Sequence, residues 1–296
     1  MVDFVKLNYG DKERFENFVM DKKNFEDVDT VFSYHTGEVK YPYKTKLGSM
    51  DVVVLKNSGH VKNSLHKLYN YLESKEEHNH NDFSYSKICE TVGFLFRKMI
   101  DAKTTKLTQL EFGFNLEIDR TPETLIRRNV LMHQYKGGTN NTYHGRGELR
   151  QFGHSNYFIK VYDKGKQFGL DTNILRFEMK FIKAKEFQNL GIYKLEDLED
   201  KSNLRRLFIY LLNRFDELII VDDYDDVSIG SIKDYNALSR FTNPNYWTEE
   251  IKHKHQQFRS RQKKQFELLL KKNDLLKTKA YLRTLLVQKF IQLINN

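Results

Sequence analysis

A chain of 296 residues is long enough for one large domain or two modest ones with a substantial core. Its single cysteine, Cys89, excludes an internal disulfide and suits a reducing compartment, where it reads as a small buried group on a helix. No run approaches the roughly 18 apolar residues that span a bilayer, and the start lacks a basic region followed by an apolar stretch of signal-peptide length, so a cytoplasmic protein with no membrane partner is expected.

The net charge is +9, and its placement is informative: from Tyr246 to Asn296 twelve Lys or Arg stand against four Asp or Glu, which puts +8 in that segment alone. A basic segment on a nearly neutral body points to a polyanion partner bound with salt-sensitive affinity.

In chain order, a first strand is expected over Val2 to Leu7, with Asp3 read as a turn or edge residue bonded to backbone. Further strands are expected at Thr30 to His35 and Met50 to Leu55. A helix is predicted from Val61 to Glu73, where Val61, Leu65, Leu68, Tyr69 and Leu72 recur at helical spacing, and another from Ser84 to Ile100. Between them lies EEHNHND, Glu76 to Asp82. His78 and His80 would need strand alternation to place both rings on one metal. The polar flanks and the central Asn79 read instead as a loop entering a helix N-cap.

The segment LTQLEFGFNLEID, Leu107 to Asp119, alternates cleanly. Leu110, Phe112, Phe114, Leu116 and Ile118 share one face; Glu111, Gly113, Asn115, Glu117 and Asp119 share the other. Glycine in mid-strand forfeits packing and marks a place where a ligand or another backbone comes close. Thr121 as N-cap and Pro122 as first helical residue predict a helix to about His133. The stretch from Gln134 to Phe158, rich in Gly, Asn and aromatic residues, reads as a loop or loose hairpin. Lys136, Arg146 and Arg150 beside Tyr143 and His144 have the character of a single-strand-binding surface, with cations for phosphates and rings for bases.

Tyr157 to Lys183 reads as a β-hairpin with a turn-rich connection. In its first strand Ile159 and Val161 oppose Lys160, Tyr162 and Lys164; in its second Leu175, Phe177, Met179 and Phe181 oppose Arg176, Glu178 and Lys180. Helices follow at Ala184 to Leu190 and Leu204 to Phe215. The acidic DDYDD run, Asp222 to Asp226, lacks the spacing of a calcium loop and reads as a solvated turn. Asn243, Pro244 and Asn245 mark a boundary, beyond which Tyr246 to Lys272, carrying Lys263 and Lys264, and Leu275 to Ile294 read as two helices. The organisation expected is therefore residues 1–243 as the body and 244–296 as a basic helical extension that holds the polyanion. The fold class is α+β: a mostly antiparallel central sheet with helices on one face.

If the three alternating strands share a sheet, two carboxylates, an amide, a lysine and a tyrosine converge on one side of it. Those are the components of a metal-assisted tyrosine nucleophile acting on a phosphodiester.

The strand LEFGFN, the Y-x-K motif in VYDKGKQ, LRFEMKF followed by a helix and a Gly-Ile pair, and the opening MVDFVKL together resemble the rolling-circle replication initiators of filamentous phages and small plasmids. The similarity covers roughly Leu107 to Leu198 plus the first few residues. It implies an endonuclease that nicks and religates one DNA strand at an origin through a phosphotyrosine intermediate. Tyr162 would be the nucleophile, Lys164 its cationic neighbour, and Glu111 and Glu178 the ligands of Mg²⁺ or Mn²⁺, with Asn115 as a neutral third. Single-stranded or origin DNA would be the partner, with a host helicase alongside, and Lys160 and Arg176 would add to the DNA-binding cations. Two departures bear on the metal: plasmid members usually carry an acid where this chain has Gln167, and often a second where it has Asn115. An origin-binding protein without nuclease activity, and a relaxase or transposase with the same tyrosine chemistry, remain open as alternatives.

Overall fold

The structure, a computed structural model, describes residues 1–143 and 146–296, with the Tyr143 side chain left aside. The Tyr143 and His144 rings expected at a single-strand-binding surface therefore lie outside the described residues.

The chain runs β1 (Val2–Tyr9), α1 (Lys12–Met20), β2 (Asp29–Phe32), β3 (Val39–Leu47), β4 (Met50–Val54), β5 (Gly59–Ser64), α2 (Leu65–Ser74) and α3 (Tyr85–Lys98). It continues through β6 (Lys106–Glu117), α4 (Pro122–Arg128), β7 (Val130–His133), β8 (Lys136–Gly137), β9 (Thr139–Tyr143), β10 (Arg146–Gly153), β11 (Tyr157–Asp163), α5 (Lys164–Phe168) and β12 (Ile174–Phe181). The remainder is α6 (Ala184–Gln188), α7 (Lys201–Asp216), β13 (Leu218–Ile220), α8 (Asp226–Ile229), α9 (Ile232–Phe241), α10 (Gln256–Lys272) and α11 (Lys277–Asn295). The fold is α+β. Ten strands form one antiparallel sheet in the order β2-β3-β4-β5-β1-β6-β12-β11-β10-β9, and β13-β7-β8 form a small second one.

Alternation in the three central strands sets the faces. Leu110, Phe112, Phe114 and Leu116 of β6 lie opposite Phe181, Met179, Phe177 and Leu175 of β12, which in turn face Ile159 and Val161 of β11. These residues join the buried cluster that α3, α6, α7 and α11 close over. Gly113 is required by a backbone rather than a ligand: a Cβ there would lie 2.5 Å from the Phe177 carbonyl oxygen and 2.7 Å from the Glu178 Cα.

Several boundaries differ from expectation for local reasons. Residues 61–64 are strand, not helix, because Val61 pairs with Leu7 and Val52, and the helix waits for Ser64, whose hydroxyl accepts from the Lys67 amide. The helix at Pro122 stops at Arg128, since Val130 and Met132 are drawn into pairing with β13. In the Gly- and Asn-rich stretch β9 and β10 pair antiparallel, with a register shift between Arg146 and Glu148, and widen the main sheet by two strands. Asp222 is not merely a solvated turn residue; its carboxylate accepts from the Lys277 and Thr278 amides at the start of α11.

The expected division at residue 243 runs through the middle of a packed unit. Ile229, Leu238, Phe241, Trp247, Phe266 and Leu270 form a second apolar cluster spanning α8 to α10. By contrast, α11 returns to the main core through Leu282, Leu286, Phe290, Leu293 and Ile294, with the Phe290 ring stacked 4.0 Å from that of Phe208. We therefore expect Phe290→Ala to destabilise the main body by about 3–5 kcal/mol, the usual cost of emptying a buried phenylalanine site. Urea unfolding followed by circular dichroism reads this directly, and an unchanged midpoint would mean that α11 is a separable tail.

Candidate active site

On the sheet face away from the core, register alone assembles a charged cluster. Asn115 lies opposite Arg176, Gly113 opposite Glu178 and Glu111 opposite Lys180; on the far side of β12, Lys160 faces Glu178 and Tyr162 faces Arg176. The three strands thus bring together Tyr162, Lys160, Arg176, Glu111, Glu178 and Asn115, as the alternation predicts.

Arg176 is the hub. Only 3% exposed, it donates from Nε to Glu178 at 2.7 Å, from Nη1 to Asn115 Oδ1 at 2.8 Å and from Nη2 to Asp3 at 2.9 Å. Lys160 bridges the two glutamates, 3.0 Å from Glu178 and 3.3 Å from Glu111, and Lys180 closes on the other Glu111 oxygen at 3.1 Å. Asp3, expected to bond backbone at an edge, is instead a buried partner of side chains: Arg176, the Ser64 hydroxyl and the Asn79 amide at 2.8 Å. A β-bulge between Val2 and Val5 turns it toward the cluster, a displacement that simple alternation does not foretell.

The cluster is roofed by residues 75–84, the connection between α2 and α3. Asn79, the residue between the two histidines, donates to Asp3, accepts from Lys164 Nζ at 2.6 Å and offers its carbonyl to the Asn115 amide at 3.0 Å. The His78 and His80 rings stack on each other at 4.2 Å, and the His80 ring meets the edge of Phe168. The sequence marks Asn79 only as part of a polar loop between two histidines; the signal for its role is that polar run itself, which has to be satisfied wherever it is buried. Lys164 is not on the strand face. It opens α5, capped by the Asp163 carboxylate, and its ammonium reaches back to 5.5 Å from the Tyr162 ring centre.

Burial and neighbours set the charges. Burial pushes the Glu111 carboxyl up to about 7, helped by the Glu178 charge and opposed by Lys160 and Lys180. Burial would raise Glu178 as well, but Lys160 and Arg176 outweigh it and hold that carboxyl well below the usual range. Lys164 is pushed down to about 7 by burial and then by Arg176.

The expected metal ligands meet but do not fit a divalent ion as they stand. Both Glu178 oxygens, both Glu111 oxygens and Asn115 Oδ1 already accept from Lys160, Lys180 or Arg176. An entering ion would compete with Lys160, which bridges the two glutamates, and among the described residues no group of three His, Cys, Asp or Glu is placed to hold a metal.

The expected DNA-binding cations divide in two. Lys160 and Arg176 are committed to carboxylates inside the cluster, and Arg150 is half-buried with its guanidinium on Asn140 and the Val130 carbonyl. Lys136, Arg146 and Lys264 are exposed, whereas Lys263 is half-buried with its ammonium 4.2 Å from the Tyr135 ring centre. Between Glu250 and Glu267 the chain carries six cations and no acid. None of the six, from Lys252 to Lys264, makes an ion pair with a carboxylate among the described residues.

No protein-family model matches the chain, and no curated protein does. Among solved structures it is similar to a rolling circle replication initiator protein from Geobacillus stearothermophilus, at 14% identity over 68% of this chain and 78% of that one, with a TM-score of 0.38. So loose a likeness fixes neither strand order nor site residues. No helix among the described residues is long and apolar enough to cross a membrane.

The raised Glu111 value has a measurable consequence. Between pH 4.5 and about 7 the folded chain holds a proton on Glu111 that the unfolded chain releases, so this contribution is complete below pH 4.5 and is lost as pH rises through 7. Glu111→Gln removes it. The variant should gain stability relative to the parent as pH rises from 5 to 7.5, on the order of 2–3 kcal/mol by urea unfolding. Buried histidines titrate in both proteins and cancel in this comparison; a flat difference would show that Glu111 is ionised throughout.

Proposed function

We propose that this chain cuts and rejoins a DNA strand with Tyr162 as the nucleophile, in the manner of the rolling-circle initiators it resembles. The observation that carries the reading is the setting of one phenol. Tyr162 is 1% exposed yet belongs to neither apolar cluster; it lies on the polar face opposite Arg176, with the Lys164 ammonium 5.5 Å from its ring centre.

A phenol with an ordinary pKa near 10 attacks phosphorus poorly at neutral pH unless a base takes its proton or cations stabilise the phenolate. Lys164, close to half neutral at pH 7, is suited to accept that proton, and Arg176 favours the anion that remains. The Tyr162 Oη–P bond forms as the P–O3′ bond breaks. The departing 3′ oxygen takes up a proton to give a free hydroxyl, and the 5′ phosphate stays on Tyr162. Reversal of the same exchange rejoins the strand. A divalent ion would supply Lewis acidity to such a transfer, but the oxygens that would hold it already accept from Lys160, Lys180 and Arg176, and the steps above need only this chain's own groups. Because Tyr162 is buried, access requires part of its cover to move, and residues 75–84, held to the cluster through Asp3, Asn115 and Lys164, are the segment suited to do so. The exposed cations of α10 and of the β9–β10 hairpin would hold the flanking DNA.

A second reading, an origin-binding protein without nuclease activity, is favoured by the same burial and by the saturation of the acids with protein cations. One experiment separates the two. Incubated with 5′-labelled and 3′-labelled single-stranded DNA, the parent should retain label after denaturation only where the label lies 3′ of the cut. Tyr162→Phe should lose the adduct while keeping DNA affinity within about twofold. Retention of the adduct in that variant excludes Tyr162 as nucleophile, and no adduct in the parent favours the binding protein.

A further inference from the structure

The polar face of the main sheet does not end at the roofed cluster. From its Glu111–Lys180 edge the face continues, in register, over Phe158, Phe4, Lys6 and Lys62, side chains that neither the core nor the cluster explains. Phe158 of β11 lies opposite Lys180 of β12, which lies opposite Glu111 of β6. The Lys180 ammonium, its side chain 37% exposed, stands 5.9 Å from the ring centre of Phe4 on β1. Two residues further along β1, Lys6 faces Lys62 of β5 on one side and Gln109 of β6 on the other.

Two features of this line are costly for a protein with nothing bound there. Phe4 and Phe158 are half-buried and belong to neither apolar cluster, although both lie on the polar face. Lys6 and Lys62 are like charges directly opposite one another, an arrangement that destabilises an antiparallel pair. Neither makes an ion pair among the described residues, and Asp51, next in the row after Lys62, is taken by Lys46. Each cost is removed by the same kind of occupant. Phosphates placed between Lys6 and Lys62 turn repulsion into attraction, and unpaired bases cover the two phenylalanine rings.

We infer that the polar sheet face from Phe158 through Lys180 and Phe4 to Lys6 and Lys62 is a track for a single DNA strand leading away from the Tyr162 cluster. The direction of the track rests on the strand-cutting reading, but its occupancy does not. A duplex fits the track poorly, because its bases are stacked on one another and give the rings nothing to cover.

The test is fluorescence anisotropy of a labelled 20-nucleotide mixed-sequence single strand, titrated with the full chain at several salt concentrations. Lys6→Ala/Lys62→Ala should weaken binding about tenfold or more at low salt, and should flatten the log K against log salt slope by about 1.4, as expected for two lost phosphate contacts on a single strand. Its thermal midpoint should stay level or rise, since a repulsive pair has been removed, so weaker binding cannot be ascribed to unfolding. Phe158→Leu should weaken binding about fivefold with the salt slope unchanged, the signature of lost stacking. Affinity within twofold of the parent in both variants overturns the track. Equal losses on a duplex of the same sequence overturn its single-strand character. A change in sedimentation without a change in DNA affinity gives the face to a second copy of this chain and also overturns it. Because only affinity is read, failure of Tyr162→Phe to abolish the covalent adduct would leave this result standing, and failure of the track would leave that one.

Discussion

The structure depends on one guanidinium. Arg176 ties β12 to β1 through Asp3 and to β6 through Asn115 while neutralising Glu178 on its own strand. Arg176, Asp3 and Glu178 are out of water, where breaking a charge pair by removing one partner costs about 3–5 kcal/mol. That cost fixes the register of the three strands on the polar side as firmly as the phenylalanines and leucines fix it on the apolar side. It also fixes what surrounds Tyr162: a phenol on this face has a cation for a cross-strand neighbour wherever the pairing is intact.

A buried network of this kind carries its own constraint. Three carboxylates, Asp3, Glu111 and Glu178, are met by Arg176, Lys160, Lys164 and Lys180, so the site is close to electrically balanced without any added ion. Balance inside a low-dielectric region is achieved by shared protons as well as by opposite charges. Glu111 and Lys164 both titrate near 7, one as an acid that resists losing its proton and the other as an amine that resists keeping one. The cluster can therefore exchange a proton at little cost, which is the property a phenol nucleophile needs from its surroundings.

Much of this was legible in the residues alone, and the reason is periodicity. Where a strand has one apolar and one polar face, as at Leu107 to Asp119 and across Tyr157 to Lys183, alternation predicts both the pairing face and the residues that meet, and Glu111, Asn115, Tyr162, Arg176 and Glu178 do meet. Legibility failed where local and distant demands differ. Val61 fits a helical spacing with Leu65 and Leu68, but a β-branched residue opposite Leu7 and Val52 gains more from the sheet. Asp3 reaches the cluster through a bulge and Asn79 through a connection between helices, and neither route leaves a periodic trace. Lys160 and Arg176 read as DNA-binding cations because sequence shows a charge but not the carboxylates that enclose it. The second apolar cluster was hidden for a similar reason, since α10 and α11 both follow the Asn243–Asn245 turn signal and yet pack into different cores.

That last arrangement has a mechanical consequence. The unit of α8 to α10 leaves the main body after β13 and rejoins it at α11, whose first amides are held by Asp222 near the point of departure. It is thus hinged on two adjacent polypeptide crossings rather than hung from one. Twisting it about either crossing is resisted by the other, so the cations of α10 are presented at a set bearing to the sheet, and a bound polyanion would be guided by that bearing.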